Sequence, residues 1–467
     1  MPRKRPINAD IPAADPEPKP AESPLSSSPP TSSPAEPEAK ASPSPPKPPQ
    51  PGPPRKAKRQ RRPIPTALKA IAGLVLVAIV FLVAAVLGGG GTDSGSDKAA
   101  PAPAPATSTV EQKETPAAAA AEELGYPSFA TNNTTRVGGS DSATTAAGVA
   151  LAVFPSTKPA QRPAAVSLVD EEDWQGAVAA AVLMARPVNA PLLVSSSDGS
   201  PEPTSQALAA LDPQGSPDTD RAQAFAIGDP AAPDDLTTTR VGGSSPAAVA
   251  AAIAVLRDKL FDGPPQHVVL ASEEQSAFAA PAAAWAARSG DPVLFSGARK
   301  LPAVTIKALK RHPSAPVYVL GPSSAISSSV VREASEIVGR VRRVSGEEPV
   351  ENAIGFARYA SGNFGWNIND PGHGFVVARS DSPLDAAIAA PLSASGTWGP
   401  LLLTDDADTL PAALREYMLD VKPGYTTDPT RAFYNHVWVI GDQEAIDVNQ
   451  QAEIDQLAEL AQIGGEP

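Results

Sequence analysis

The chain has 467 residues, enough for several domains, and 38 Lys+Arg against 51 Asp+Glu give a formal net charge of -13. That balance argues against a nucleic-acid binder, which would normally present a basic domain able to displace counterions from phosphates. The absence of cysteine excludes a disulfide scaffold, a Cys-ligated zinc site and a cysteine nucleophile.

The charge is unevenly placed. Residues 1 to 62 hold twelve Lys/Arg and six Asp/Glu, so everything beyond them sums to -19. That first stretch also contains 19 prolines and almost no large apolar side chain. It cannot bury enough surface to offset its ordering entropy, so residues 1–64 are expected to form a disordered, Pro-rich, basic tail with an unidentified cytoplasmic partner. From Ile71 to Leu87 the chain reads IAGLVLVAIVFLVAAVL, 17 uncharged apolar residues. At about 1.5 Å per residue, with Leu68 and Ala70 extending the run, this predicts a transmembrane helix within 65–88 that engages the lipid bilayer. The basic run RKAKRQRR (55–62) ahead of the span puts the N-terminus in the cytoplasm and the remainder of the chain outside. A Gly/Ala/Pro linker follows over 89–132.

Beyond the linker the sequence repeats. Three segments open alike, TTRVGGSD from Thr134, TTRVGGSS from Thr238 and RRVSGEEP from Arg342, which places Arg136, Arg240 and Arg343 at matching positions. Each repeat continues with an apolar run (AVSLV, HVVLA, GFVVA), an alanine-rich helix, and a second run (PLLVS, PVLFS, PLLLT). Another helix and a third run ending in glycine (AFAIGD, VYVLGP, VWVIGD) complete it. Continuous apolar runs alternating with helices predict an α/β fold of three tandem βαβ-type repeats with largely parallel sheets, over 133–236, 237–340 and 341–467.

The RVGG openings, GPSSAIS (321–327), GDQEAID (441–447) and the segment Pro383 to Leu392 together make this region similar to the cell wall-binding repeat 2 family of Gram-positive bacteria. The resemblance covers all three repeats. It implies a three-lobed, pseudo-threefold module that attaches surface proteins non-covalently to anionic cell-wall polymers, with no catalytic activity and no cofactor. None of the openings carries the second Arg and the Tyr that usually follow in the family, and the Asp of its alanine-rich helix is matched by Asp385.

Several side chains invite a functional reading. The repeated Arg136, Arg240 and Arg343 have the fork geometry that suits phosphate or carboxylate, or that pairs with an acidic group within the lobes. The segment RKLPAVTIKALKRH (299–312) concentrates Arg299, Lys300, Lys307, Lys310 and Arg311, and is expected to be the basic patch that meets an anionic polymer. DEED (170–173) and TDDADTLP (404–411) read as loop or cap carboxylates ahead of calcium ligands. Ser195, Ser296 and Thr404 end the second strands without a GxSxG elbow, and helix capping accounts for them better than nucleophilic catalysis. Trp366, in the glycine-rich SGNFGWNINDPGHG, is expected to be exposed. The expected function is a membrane-anchored binding module acting by avidity, and the rival is an envelope scaffold for protein partners.

Overall fold

A computed structural model describes residues 129–463 apart from positions 262 and 397. The expected tail and span, and the expected linker up to residue 128, lie outside the described residues; the last four residues assigned to the linker are ordered instead, with a short strand at Phe129–Ala130. Among those described, no helix is long and apolar enough to cross a membrane.

Nine of the strands fall on the nine apolar runs: β3 (Val166–Val169), β4 (Leu192–Val194), β5 (Ala224–Ile227), β7 (Val268–Ser272), β8 (Val293–Ser296), β9 (Val317–Leu320), β11 (Gly374–Arg379), β12 (Leu401–Thr404) and β14 (His436–Ile440). Within each lobe the first run lies at the centre, flanked by the second and third, all parallel. The repeat openings are strands too: β2 (Thr134–Val137), β6 (Thr238–Val241) and β10 (Val341–Val344). They do not join the strands that follow them in sequence. β6 pairs with β5 and β10 with β9, so each opening completes the sheet of the lobe before it. β2 has no preceding lobe and pairs with β14 of the last one, which closes the three lobes into a ring. A two-residue strand, β1 (Phe129–Ala130), runs antiparallel along the outer edge of β2. Minor strands β13 (Gly424–Tyr425) and β15 (Ala461–Gln462) pair with each other beside the third lobe.

After each opening strand the chain turns and enters a helix, Ser142–Val153, Pro246–Leu260 or Pro349–Arg358, that packs on the following lobe. The turn needs glycine: Gly138 has φ +118°, and a Cβ there would lie 3.0 Å from the Gly441 nitrogen and 2.8 Å from Thr145 Oγ1. The helices start where Pro246 and Pro349 predict. Asp141 and Ser245 cap theirs by accepting from Thr144 N at 2.7 Å and Ala248 N at 3.2 Å, whereas the Glu348 side chain makes no such bond.

The alanine-rich segments meet at the centre, where Ala177, Ala180, Ala283, Ala286, Ala387 and Ala390 are buried in one core shared by all three lobes. Small side chains let these helices approach closely. Each segment is broken midway: Trp174–Ala180 tightens into a 3-10 turn, Ser276–Ala279 gives way to Pro281–Ser289, and Pro383–Ile388 to Ala390–Ala394. Pro281 and Pro391 each remove a backbone donor at the second and third breaks. In the second lobe, Val269, Ala271 and Phe295 face this core, while Val268, Leu270 and Leu294 face a separate outer cluster under Ala303–Arg311 and Ser328–Ile337. The unbroken apolar runs are explained by burial on both faces.

Candidate functional site

In open parallel sheets the loops leaving the carboxyl ends of the strands form the natural crevice for a ligand. At those ends in the second lobe, Glu273 and Glu274 follow β7, Gly297 to Leu301 follow β8, and Glu333 reaches in from Ser328–Ile337. Together they line a cavity of about 680 Å³. Arg299 and Lys300 are exposed on its wall, and neither side chain is ion-paired or hydrogen-bonded among the described residues. Ser327 N donates to the Ala298 carbonyl at 2.8 Å, which fixes the loop that carries the two cations.

The basic segment 299–312 does not form one patch. Its helix, Ala303–Arg311, has a rise of about 1.5 Å per residue and so carries its far end roughly 12 Å from the cavity. Lys307 and Lys310 are exposed along this helix. Arg311 lies beyond them beside Pro264 and Pro265, where its guanidinium donates to Asp258 Oδ2 at 2.6 Å and His312 Nε2 lies 2.7 Å from the same oxygen. Arg257 approaches the other Asp258 oxygen at 3.3 Å. Of the five basic candidates, two line the cavity, two are exposed beyond it, and one is paired elsewhere.

The three repeated arginines serve the sheet junctions. Arg136 is 1% exposed, and its guanidinium donates to Gln451 Oε1 at 2.9 Å and to the carbonyls of Gly441, Asp442 and Ile446. Arg343 makes the equivalent set, with the carbonyls of Gly321, Pro322 and Ile326. Arg240 donates to the Pro230 carbonyl at 3.1 Å and lies 3.8 Å from Asp229 Oδ1, and its side chain is 55% exposed. Their partners are chiefly carbonyl oxygens of the loop after the previous lobe's third strand, and only Arg240 approaches a carboxylate, the exposed Asp229. Arg136, at 1% exposure, is buried away from any polymer.

The profile of cell wall binding domain 2 (CWB2) matches residues 240–331. That segment is a CWB2 repeat. It begins on Arg240 and contains β7, β8, β9 and the lining of the cavity just described except Glu333. The chain is also similar in structure to Cwp8 from Clostridium difficile, at 21% identity and a TM-score of 0.54, over 70% of this chain and 52% of that one. Similarity to Cwp6 from Clostridium difficile is 20% at a TM-score of 0.55, over 70% and 48%. At these identities the likeness is one of fold, and this chain spans about half the length of either protein. No curated protein matches the sequence. The matching profile is that of a cell wall-binding domain.

Around the CWB2 repeat, other expectations resolve differently. Ser195, Ser296 and Thr404 cap no helix: their hydroxyls donate to the carbonyls of Ala231 at 2.8 Å, Gly297 at 2.9 Å and Asp406 at 3.1 Å, pinning the loops after the second strands. Asp173 does cap, accepting from Gly176 N at 2.7 Å, and burial raises its carboxyl above the usual range. Asp406 accepts from Asp408 N at 2.7 Å and Thr409 N at 3.0 Å, folding its own turn. Trp366 is 7% exposed, not a surface platform. Gly365, with φ +99°, turns its loop inward, and the Trp366 ring packs edge-on against Trp285 with centroids 5.5 Å apart. Trp398 is the exposed tryptophan, lying under the Arg288 guanidinium at 4.1 Å.

Proposed function

We propose that the chain is an exported, membrane-anchored module that holds a cell-envelope polymer non-covalently and performs no chemistry on it. The observation that supports the reading is the cavity of the CWB2 repeat, where Arg299 and Lys300 stand unpaired among the described residues at the carboxyl ends of β7 and β8. Unneutralised cations in a concave wall attract anionic groups, and charge-assisted contacts to phosphate or carboxylate are among the stronger polar interactions available to a protein surface. Anchoring rests on the apolar run Ile71–Leu87 and the basic residues before it.

Sedimentation with purified cell walls tests the reading. The full-length chain is expected in the pellet at low salt and in the supernatant as salt screens the contact. Arg299→Glu with Lys300→Glu should leave it in the supernatant throughout. A parent chain that never enters the pellet at low salt overturns the proposal. One observation favours a protein-interaction scaffold instead: Phe433 and Tyr434 are 69% and 57% exposed beside Arg431 in the third lobe. That reading requires Phe433→Ser with Tyr434→Ser to abolish capture of an envelope protein while leaving wall sedimentation unchanged.

A further inference from the structure

Five charged side chains meet at the cavity after β7 and β8: Glu273, Glu274 and Glu333 on one hand, Arg299 and Lys300 on the other. Opposite charges sharing so small a volume would ordinarily close into ion pairs. Among the described residues none of these five makes one. The two acids after β7 converge instead on the loop opposite: a Cβ on Gly297 would lie 3.3 Å from Glu273 Oε1 and 3.4 Å from Glu274 Oε1. Glu273 is partly buried, and burial, then the neighbouring Glu274, push its carboxyl above the usual range. Such a pair gains from a cation brought between its members.

The corresponding loops of the other lobes lack this arrangement. In the first lobe they carry Asp170, Glu171, Glu172, Asp173 and Asp198 with no base. In the third they carry Asp405, Asp406 and Asp408, and the one base, Arg379, is clamped by Asp381 at 3.0 and 2.7 Å. Among the described residues, at the loops that leave the first and second strands of each lobe, unpaired cations and unpaired carboxylates meet only in the second lobe. A purely anionic ligand entering there meets three carboxylates, and a purely cationic one meets two bases. Only a ligand carrying both charges satisfies the wall without leaving a like charge opposed.

We propose that this cavity recognises a zwitterionic unit, its ammonium held between Glu273 and Glu274 and its phosphate or carboxylate by Arg299 and Lys300. The inference rests on the wall-polymer reading and narrows it: the polymer is one whose repeat bears an amine, as an amino sugar or an aminoacyl ester, close to an anionic group.

Phosphoethanolamine, ethyl phosphate and ethanolamine are matched probes of the two charges together and of each alone. Titrated against the full-length chain and followed by calorimetry, phosphoethanolamine should bind at least about tenfold more tightly than either single-charge probe. Glu273→Gln with Glu274→Gln should make it equal to ethyl phosphate, and Arg299→Gln with Lys300→Gln should make it equal to ethanolamine. Phosphoethanolamine should also release the chain from purified walls at concentrations where ethyl phosphate does not. Ethyl phosphate binding as tightly as phosphoethanolamine, or a preference untouched by both double variants, overturns the charge assignment. Preferential binding without release from walls overturns the polymer as its source. A chain that sediments with walls while showing no preference sinks this inference and leaves the module reading standing. A chain that shows the preference but never sediments overturns the module reading and the polymer as the source of the ligand, and keeps only the charge assignment of the cavity.

Discussion

Arg136 donates to three backbone carbonyls and one amide oxygen, of which the Asp442 carbonyl also accepts from Ile446 N at 3.3 Å. Removing it strands the other acceptors in the interior, so Arg136→Ala is expected to destabilise the folded chain by about 3 kcal/mol in urea denaturation. Arg240→Ala, at a half-exposed side chain with one carbonyl partner and a long, solvent-exposed ion pair to Asp229, should fall within about 0.5 kcal/mol. Asp385 tests burial in the other direction. Its Oδ1 is buried without a partner, and burial, with Asp141 and Asp442 nearby, raises its carboxyl above the ordinary 3.8. The folded chain therefore binds this proton more tightly than the unfolded one, and stability falls as pH rises through the window above 3.8. Asp385→Asn should match the parent near pH 4 and be more stable at pH 7, which paired thermal melts at the two values would show. A parent at least as stable at pH 7 would mean that the charge is satisfied in place. The sequence made these residues visible but not their roles. An Arg recurring at equal spacing reads alike as ligand contact and as carbonyl clamp, because the two differ only in burial, which depends on the loop of another lobe.

The nine apolar runs were legible as strands because each is covered on both faces and so lacks polar positions. The openings were not, since TTRV and RRV carry polar and charged residues, and their partners lie in the preceding lobe. A pattern within one repeat cannot report a pairing made across repeats. The basic run 299–312 misled for a related reason: a contiguous stretch becomes two separate places once a helix lies between its ends. The inserted opening strand makes its own prediction. A chain beginning after Val137 loses β1 and β2, leaving β14 as an edge. Amide exchange should then quicken at Val437 to Ile440 while β7 to β10 stay protected. Uniform quickening across both sheets would show that ring closure stabilises every lobe equally. At the centre, Ala283 is fully buried in the shared alanine core. Ala283→Leu should cost about 1–3 kcal/mol by overpacking.

At the scale of the whole molecule, three lobes of one pattern share a single core, and each borrows a strand from the next. The link from the first lobe to the second runs through residues 228–237, between β5 and β6, and that pairing resembles the one β14 makes with β2 without any direct covalent link. A permutant cut between Asp234 and Asp235, with residues 463 and 129 joined by a Gly/Ser linker of about ten residues, should fold with a melting temperature within about 5 °C of the parent. Failure to fold would assign the covalent link a role that strand pairing cannot replace. The threefold pattern legible in the sequence promises three like sites. The structure keeps the scaffold threefold while the loop charges differ from lobe to lobe, and no periodicity in apolar residues could report that.

β2 lies parallel to β14 and is the first long strand met by a load arriving along the chain from before residue 129. Traction on the short antiparallel β1 peels it from β2 one residue pair at a time. Traction on β2 instead pulls lengthwise against a parallel neighbour, so all of that ladder's hydrogen bonds must slip together, with the Arg136 clamp across the top. The module is thus built to yield a few residues easily and then to resist, a fuse followed by a bolt.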